Sequence, residues 1–159
     1  MDEYLNLAIE EARKSYNYYQ SPTSNGTPGI PIGSALVIDG QLKAVGHNQR
    51  VQHGSPVLHA EMHCLENAGR LKASDYQRAT LYTTLSPCSM CSGAILLYKI
   101  PRVVIGENEN FRGPEEYLQQ NGVDIQVVDS EECKEMLKNF INEHPEIWYE
   151  DIGEKGESF

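Results

Sequence analysis

His59-Ala60-Glu61, followed by Pro87-Cys88-Ser89-Met90-Cys91, constrains this chain more than any other feature. It offers a metal one imidazole and two thiolates, plus a carboxylate that need not be a ligand. Three such ligands leave the fourth position of a tetrahedral Zn²⁺ open to water, which separates a reactive zinc from a structural one. Either half alone says little, because C-x-x-C also occurs in redox motifs and zinc ribbons and H-x-E occurs by chance. Together and in order they are specific. A strand-like run, Thr80–Leu85, leads into the Pro, and a helix-like run follows the second Cys.

The rest of the chain supplies a frame for that pair. Leu5, Ile9, Ala12, Tyr16 and Tyr19 recur at helical spacing, predicting an amphipathic helix over 3–19. Residues 21–33 are rich in Ser, Pro, Gly, Thr and Asn and read as a loop. Two strands, 34–38 and 42–46, flank the hairpin signal Asp39-Gly40. Residues 48–58 read as a loop, broken by Gly54 and Pro56. A helix over 59–68 stops at Gly69. Strand 80–85, helix 89–99, strand 102–106, helix 114–120 and strand 124–128 then alternate. Ser130 N-caps a helix to about residue 141, a short helix spans 144–150, and 154–159 is expected to be a disordered tail.

Alternation after residue 80 implies parallel neighbours joined by crossovers, and the early hairpin adds an antiparallel element. The expected fold is α/β, a mixed five-stranded sheet with helices on both faces, in a single domain over 1–159. The run Ala94-Ile95-Leu96-Leu97-Tyr98 is apolar nearly all round, which predicts burial on more than one side, under the sheet or at a subunit interface.

A chain of 159 residues suits one core. No apolar run approaches the roughly 20 residues of a membrane span. The opening Met1-Asp2-Glu3-Tyr4 lacks the basic start of a signal peptide, so a cytoplasmic or nucleocytoplasmic location is expected. Thirteen basic against 23 acidic residues give a net charge of −10, which argues against nucleic acid as partner and favours a small neutral substrate. Cys64 and Cys133 read as isolated buried thiols rather than a disulfide framework.

Zinc acidifies a bound water and delivers hydroxide at neutral pH. Cys88 and Cys91 at a helix start gain thiolate character from the helix dipole. Glu61 can carry the water's proton to a ring nitrogen and on to a leaving amine. Other readings stand beside this one. The C-x-x-C suits a redox pair, which leaves His-x-Glu without a role. A structural zinc needs a fourth ligand, and Cys64 lies about 140° around the helix from His59. His63 shares a face with His59, but the Glu sits one place too late for a zincin. His63 is expected to be packed beside the site, and His144 to lie at the surface.

H-x-E followed by P-C-x-x-C is also the pattern of zinc-dependent base deaminases. The chain resembles the fungal, zinc-dependent cytosine deaminases of the cytidine deaminase-like fold over nearly its whole length. The matching segments are 30–33, 46–48, 58–61, 65–67, 81–88, 106–108, 110–111 and, most discriminating, Trp148-Tyr149-Glu150-Asp151-Ile152-Gly153.

The resemblance implies a three-layer α/β/α sandwich, a homodimer, and hydrolysis of cytosine, and of its fluorinated analogue, in pyrimidine salvage. It implies His59, Cys88 and Cys91 as zinc ligands and Glu61 as proton shuttle. Asn48 and Asp151 would bond the base, with the Ala60 N–H on the ring carbonyl and Ser86 among the substrate contacts. Ile32, Leu85, Phe111 and Trp148 would form apolar walls. Beyond the resemblance, the C-terminal helix bearing Trp148 and Asp151 is expected to be a lid, with product release limiting turnover. From the residues alone, Asn48 also suits an Asx turn, Asp151 an exposed acid, and Phe111 and Trp148 plain core.

Three departures from the family stand out: a longer loop at 21–29, Ala60 in place of a common glycine, and the tail. Deaminases of nucleosides, of RNA or DNA, or of guanine remain competing readings, as does a zinc-binding interaction protein.

Overall fold

The computed structural model describes residues 2–155. Of the expected tail, 156–159 lie outside the described residues. The elements are α1 (Glu3–Tyr16), β1 (Gly33–Ile38), β2 (Gln41–His47), α2 (Arg50–His53), α3 (Ala60–Ala68), α4 (Ala73–Tyr76) and β3 (Ala79–Leu85), then α5 (Ser89–Leu97), β4 (Arg102–Glu107), α6 (Glu115–Gln120), β5 (Asp124–Val127), α7 (Glu131–Glu143) and α8 (Pro145–Asp151).

The strands form one sheet in the order β2-β1-β3-β4-β5. β1 runs antiparallel to both β2 and β3, whereas β3, β4 and β5 are parallel. Both residues of the Asp39-Gly40 turn have positive φ, 51° and 73°, as a two-residue hairpin requires. Successive strand residues point to opposite faces, and here both faces are covered. Leu36, Ile38, Leu81, Val103 and Ile105 pack with Cys64, Ile95 and Leu118, from α3, α5 and α6. Ala35, Val37, Tyr82 and Val104 pack with Leu5, Ala8 and Ile9 of α1 and Cys133 of α7. The result is the expected three-layer α/β/α arrangement, with apolar central strands because neither face meets water. Cys64 and Cys133 are buried and free, as expected.

Two local expectations are corrected, and one element appears that the sequence did not suggest. The first helix ends at Tyr16, and Tyr19 falls in a 3₁₀ turn, Asn17–Gln20, where it is exposed. The stretch 48–58 is not wholly loop: Asn48 Oδ1 accepts the Arg50 N–H at 2.9 Å and starts the one-turn helix α2, which the left-handed Gly54 ends. α4 is too short for a periodic signal; Asp75 Oδ2 accepts the Lys72 N–H at 3.1 Å and starts it. In the apolar run of α5, Ile95 is buried within this chain whereas Leu97 is 70% and Tyr98 42% exposed, so packing under the sheet accounts for only part of it.

Gly46 sets how close α3 comes to the sheet. A Cβ there would lie 2.4 Å from Cys64 N and 2.8 Å from its Cα, both backbone atoms that cannot step aside. Gly46→Ala is therefore expected to push α3 off β2 and to cost about 1–3 kcal/mol. A lowered Tm, together with weaker metal retention because α3 begins beside His59, is the expected result in thermal unfolding and metal analysis.

Candidate metal centre and binding pocket

Every element end that matters lies at one edge of the sheet. Ile32 precedes β1, Asn48 follows β2, Leu85 ends β3, and the loop bearing Phe111 follows β4. Because β1 is antiparallel to its neighbours, its start lies beside their ends. The C-terminal edge of parallel strands is where α/β sheets open a crevice.

Two helix starts meet there. His59 is the N-cap residue of α3 and Cys88 that of α5, both with extended backbone. His59 Nδ1 lies 3.4 Å from Cys88 Sγ. Donor atoms of His59, Cys88 and Cys91 all lie within 4.8 Å of one another, and this trio is the metal-binding cluster found among the described residues. One imidazole and two thiolates so placed fit a Zn²⁺ with an open position. The distances therefore match the donor chemistry.

For the protein groups alone, burial opposes a charged His59, but bonds to Asp151 and Cys88 outweigh it and push its pKa up to about 10. Cys88 is pulled down to about 4, first by Cys91 and then, against burial, by His59. Cys91 is driven the other way by Cys88 and by burial. The opposite directions describe one proton shared between two neighbouring sulfurs.

Glu61, in the first turn of α3, is buried and faces the same cavity. Burial, and then the charge of Cys88, raise its pKa. Thr83 Oγ1 on β3 lies 3.0 Å from Glu61 Oε1 and fixes the carboxylate's direction.

The cavity is lined by Ile32, Asn48, His59, Ala60, Glu61, Leu85, Ser86, Cys88, Phe111, Trp148, Asp151 and Ile152. All twelve residues expected from the sequence thus converge, Cys91 through the metal cluster and the other eleven through the lining. Phe111 and Trp148 meet edge to face, centroids 6.3 Å apart, and Trp148 is buried. No residue of 21–29 lines the cavity.

Several details refine the expectation. Asn48 makes the Asx turn and faces the pocket at once. Its Oδ1 is taken by the Arg50 N–H, and its Nδ2 donates to Asp151 Oδ2 at 3.1 Å. A carboxamide NH₂ has a second proton and its oxygen a second lone pair, so Asn48 keeps one donor and one acceptor site beyond these two bonds. Asp151 is not an exposed acid: its side chain is 2% exposed, and Oδ1 lies 3.3 Å from His59 Nε2. Burial opposes its charge, but His59 and Arg50 hold its carboxyl below the usual value.

The Ser86 hydroxyl donates to Glu115 Oε2 at 2.6 Å and accepts from the Gly113 N–H. Contact between Ser86 and a ligand is thereby left to the main chain. A Cβ at Gly113 would fall 1.8 Å from Pro87 O, so glycine lets this loop close over the cysteine turn. His63 is packed as expected, its Nδ1 accepting the His47 N–H at 3.1 Å.

Sequence reasoning missed Arg50, Thr83, Glu107 and Ile152. Arg50 Nε donates to Asp151 Oδ1 at 2.7 Å, and Nη1 to Glu150 Oε1 at 2.9 Å. The buried Glu107 accepts from the N–H of Glu109 and from both nitrogens of Asn110, which shapes the loop carrying Phe111. Thr83 is one of three threonines on β3 and had no signal of its own. Arg50 had none, because its partners lie about a hundred residues away.

Residues 1–107 match the model of the cytidine and deoxycytidylate deaminase zinc-binding region. A cytosine deaminase of Candida albicans is 50% identical over 151 residues, covering 94% of this chain and 95% of the relative. A tRNA-specific adenosine deaminase of Bacillus subtilis is 33% identical over 150 residues, covering 88% of each. A structure from a study of A-to-I editing by tRNA:A34 deaminases superposes with a TM-score of 0.66 at 27% identity, over 85% of this chain and 99% of that one. The metal trio, the carboxylate beside it and the sheet that presents them place this chain in the cytidine and deoxycytidylate deaminase zinc-binding family.

Proposed function

We propose that this chain is a zinc-dependent cytosine deaminase, converting free cytosine and water to uracil and ammonia in cytoplasmic pyrimidine salvage, and acting on 5-fluorocytosine too. Residues 1–159 act as one deaminase domain. The supporting observation is the cavity itself: small, apolar-walled, with Glu61 beside the metal trio and α8 across its mouth. The identity of 50% to a cytosine deaminase supports the same base.

His59, Cys88 and Cys91 hold the zinc, which when bound supplies hydroxide at neutral pH. Glu61, oriented by Thr83, would carry one proton of the water to the ring nitrogen, where it stays, and the other to the departing amine, so ammonia leaves as oxygen replaces nitrogen at C4. The free N–H of Ala60, at the first turn of α3, and the Nδ2 proton of Asn48 donate to the ring carbonyl. Asp151 accepts the ring N–H. Ile32, Leu85, Phe111, Trp148 and Ile152 clamp the flat base and exclude water. Deamination of adenosine in tRNA is the second reading, favoured by the 33% identity to an enzyme of that name. The net charge of −10 and the covered cavity oppose it.

The homodimer uses the outer face of α3 and α5. Val57, Met62, Leu65 and Tyr98 line an open apolar groove there, and Leu97 stands exposed beside it. A patch of this kind on a protein with no membrane-spanning helix among its described residues marks a protein interface. Tyr98→Glu is expected to halve the mass seen in sedimentation, from twice 17.9 kDa to a single chain.

Cytosine should be deaminated and cytidine refused, in absorbance and ammonia assays run side by side. Turnover of cytidine would show an open pocket and remove the roles given to Trp148 and Asp151. Glu61→Ala is expected to retain zinc by metal analysis while losing roughly 10²- to 10⁴-fold in kcat, the span of general acid–base catalysis. Retained turnover would remove the shuttle.

A further inference from the structure

Arg50 is a forked cation held by two consecutive carboxylates of α8 in different surroundings. Its Nε donates to Asp151 Oδ1 at 2.7 Å, and its Nη1 to Glu150 Oε1 at 2.9 Å. The Asp151 side chain is 2% exposed, that of Glu150 66%, and that of Arg50 16%. Arg50 is itself fixed at its main chain, where its N–H donates to Asn48 Oδ1. The fork therefore ties the loop after β2 to a helix one hundred positions later.

α8 needs such a tie. It is seven residues long and follows α7 directly at His144. Trp148 and Asp151, with Ile152 just beyond, form one side of the cavity, and the first two are buried. Eight of the twelve residues lining the cavity are buried, so movement of an element at the mouth would ease the passage of a base. α8 belongs to no strand pairing, so its displacement leaves the sheet intact and removes from the metal trio only the Asp151 contact to His59.

We propose that the Arg50–Glu150 ion pair is a latch that sets how fast α8 opens to exchange base and product, while the Arg50–Asp151 pair keeps the carboxylate aimed into the pocket. This rests on the reading of the cavity as a cytosine site. Division of labour follows from exposure. The buried pair is insulated from salt, whereas the exposed pair is screened and individually weak. A weak exposed pair suits a contact that breaks in every cycle. A lysine at position 50 could not reproduce the arrangement, because an ammonium lacks the planar fork that meets two carboxylates at once. Glu150 is a positioning residue: it reaches Arg50 and is absent from the cavity lining.

A latch closed in both the free and the liganded protein has a distinctive signature. Its loss lowers the barrier to opening in both directions, so association and dissociation quicken together and Kd stays put. Trp148 is the chain's one tryptophan and sits on α8, so its fluorescence reports on this helix alone. Stopped-flow mixing of zinc-loaded protein with uracil, at low and high NaCl, tests the proposal in wild type and Glu150→Gln, with a rapid-quench cytosine time course alongside.

The expected result is that Glu150→Gln raises both rate constants by about two- to fivefold at low salt, the size of one exposed ion pair. Added salt should bring wild type up to the variant and leave the variant unchanged. Unaltered rates, or a faster dissociation alone with weakened Kd, would overturn the latch while cytosine turnover upholds the pocket. A wild type that neither deaminates cytosine nor responds to uracil would overturn the reading of the pocket, and the latch with it.

Discussion

His59 Nε2 lies 3.3 Å from Asp151 Oδ1, and its Nδ1 lies 3.4 Å from Cys88 Sγ. One imidazole thus has both nitrogens engaged, one by the metal cluster and one by the C-terminal helix. A ligating histidine gains orientation and basicity from a carboxylate on its other nitrogen, and here that carboxylate belongs to the element covering the pocket. The same Asp151 accepts from Asn48 and from Arg50. The metal cluster, the loop after β2 and the C-terminal helix consequently meet at one side chain. Its burial is tolerable because three donors surround it; removing any one leaves a desolvated charge short of a partner.

The charge balance around that carboxylate explains why an acidic protein can hold such a site. Glu61, Asp151 and the thiol pair bring negative charge into a small buried volume. His59 and Arg50 oppose it, as do the starts of α3 and α5, whose N-cap residues are His59 and Cys88 themselves. A divalent cation completes the compensation, and a neutral base adds no charge of its own. A phosphate-bearing substrate would find acidic groups at the mouth, with Arg50 already committed.

The metal site was legible because its spacing is local. His59 and Glu61 fall in one turn and Cys88 and Cys91 in another, and strand, hairpin and helix patterns around them predict the sheet that joins the two. The apolar walls followed from the resemblance at Phe111 and Trp148. Asp151 and Arg50 were obscure for a physical reason. Among 23 acidic residues, one near the end of the chain carries no mark of burial, because the partners that bury it come from positions 48, 50 and 59. Asn48 was half legible. Its amide suits a base edge, but only the structure shows its oxygen also accepting the Arg50 N–H. The one-turn helices α2 and α4 are shorter than any periodicity can register, and their starts depend on single side-chain contacts.

Placing Asp151 on the helix at the mouth couples assembly of the site to its closure. An α8 that swings away takes the carboxylate with it, leaving His59 Nε2 and Asn48 Nδ2 facing water instead of a fixed acceptor. If α8 moves as proposed, the open protein would lack a carboxylate beside His59 and Asn48, whereas the described arrangement has it in place. On that proposal one helix would govern both admission and assembly of the site, with no second domain. The short helix at the end of the chain suits this duty because its movement disturbs no strand. Its grip on the rest of the fold comes through Trp148 in the apolar wall and through the two carboxylates that meet Arg50.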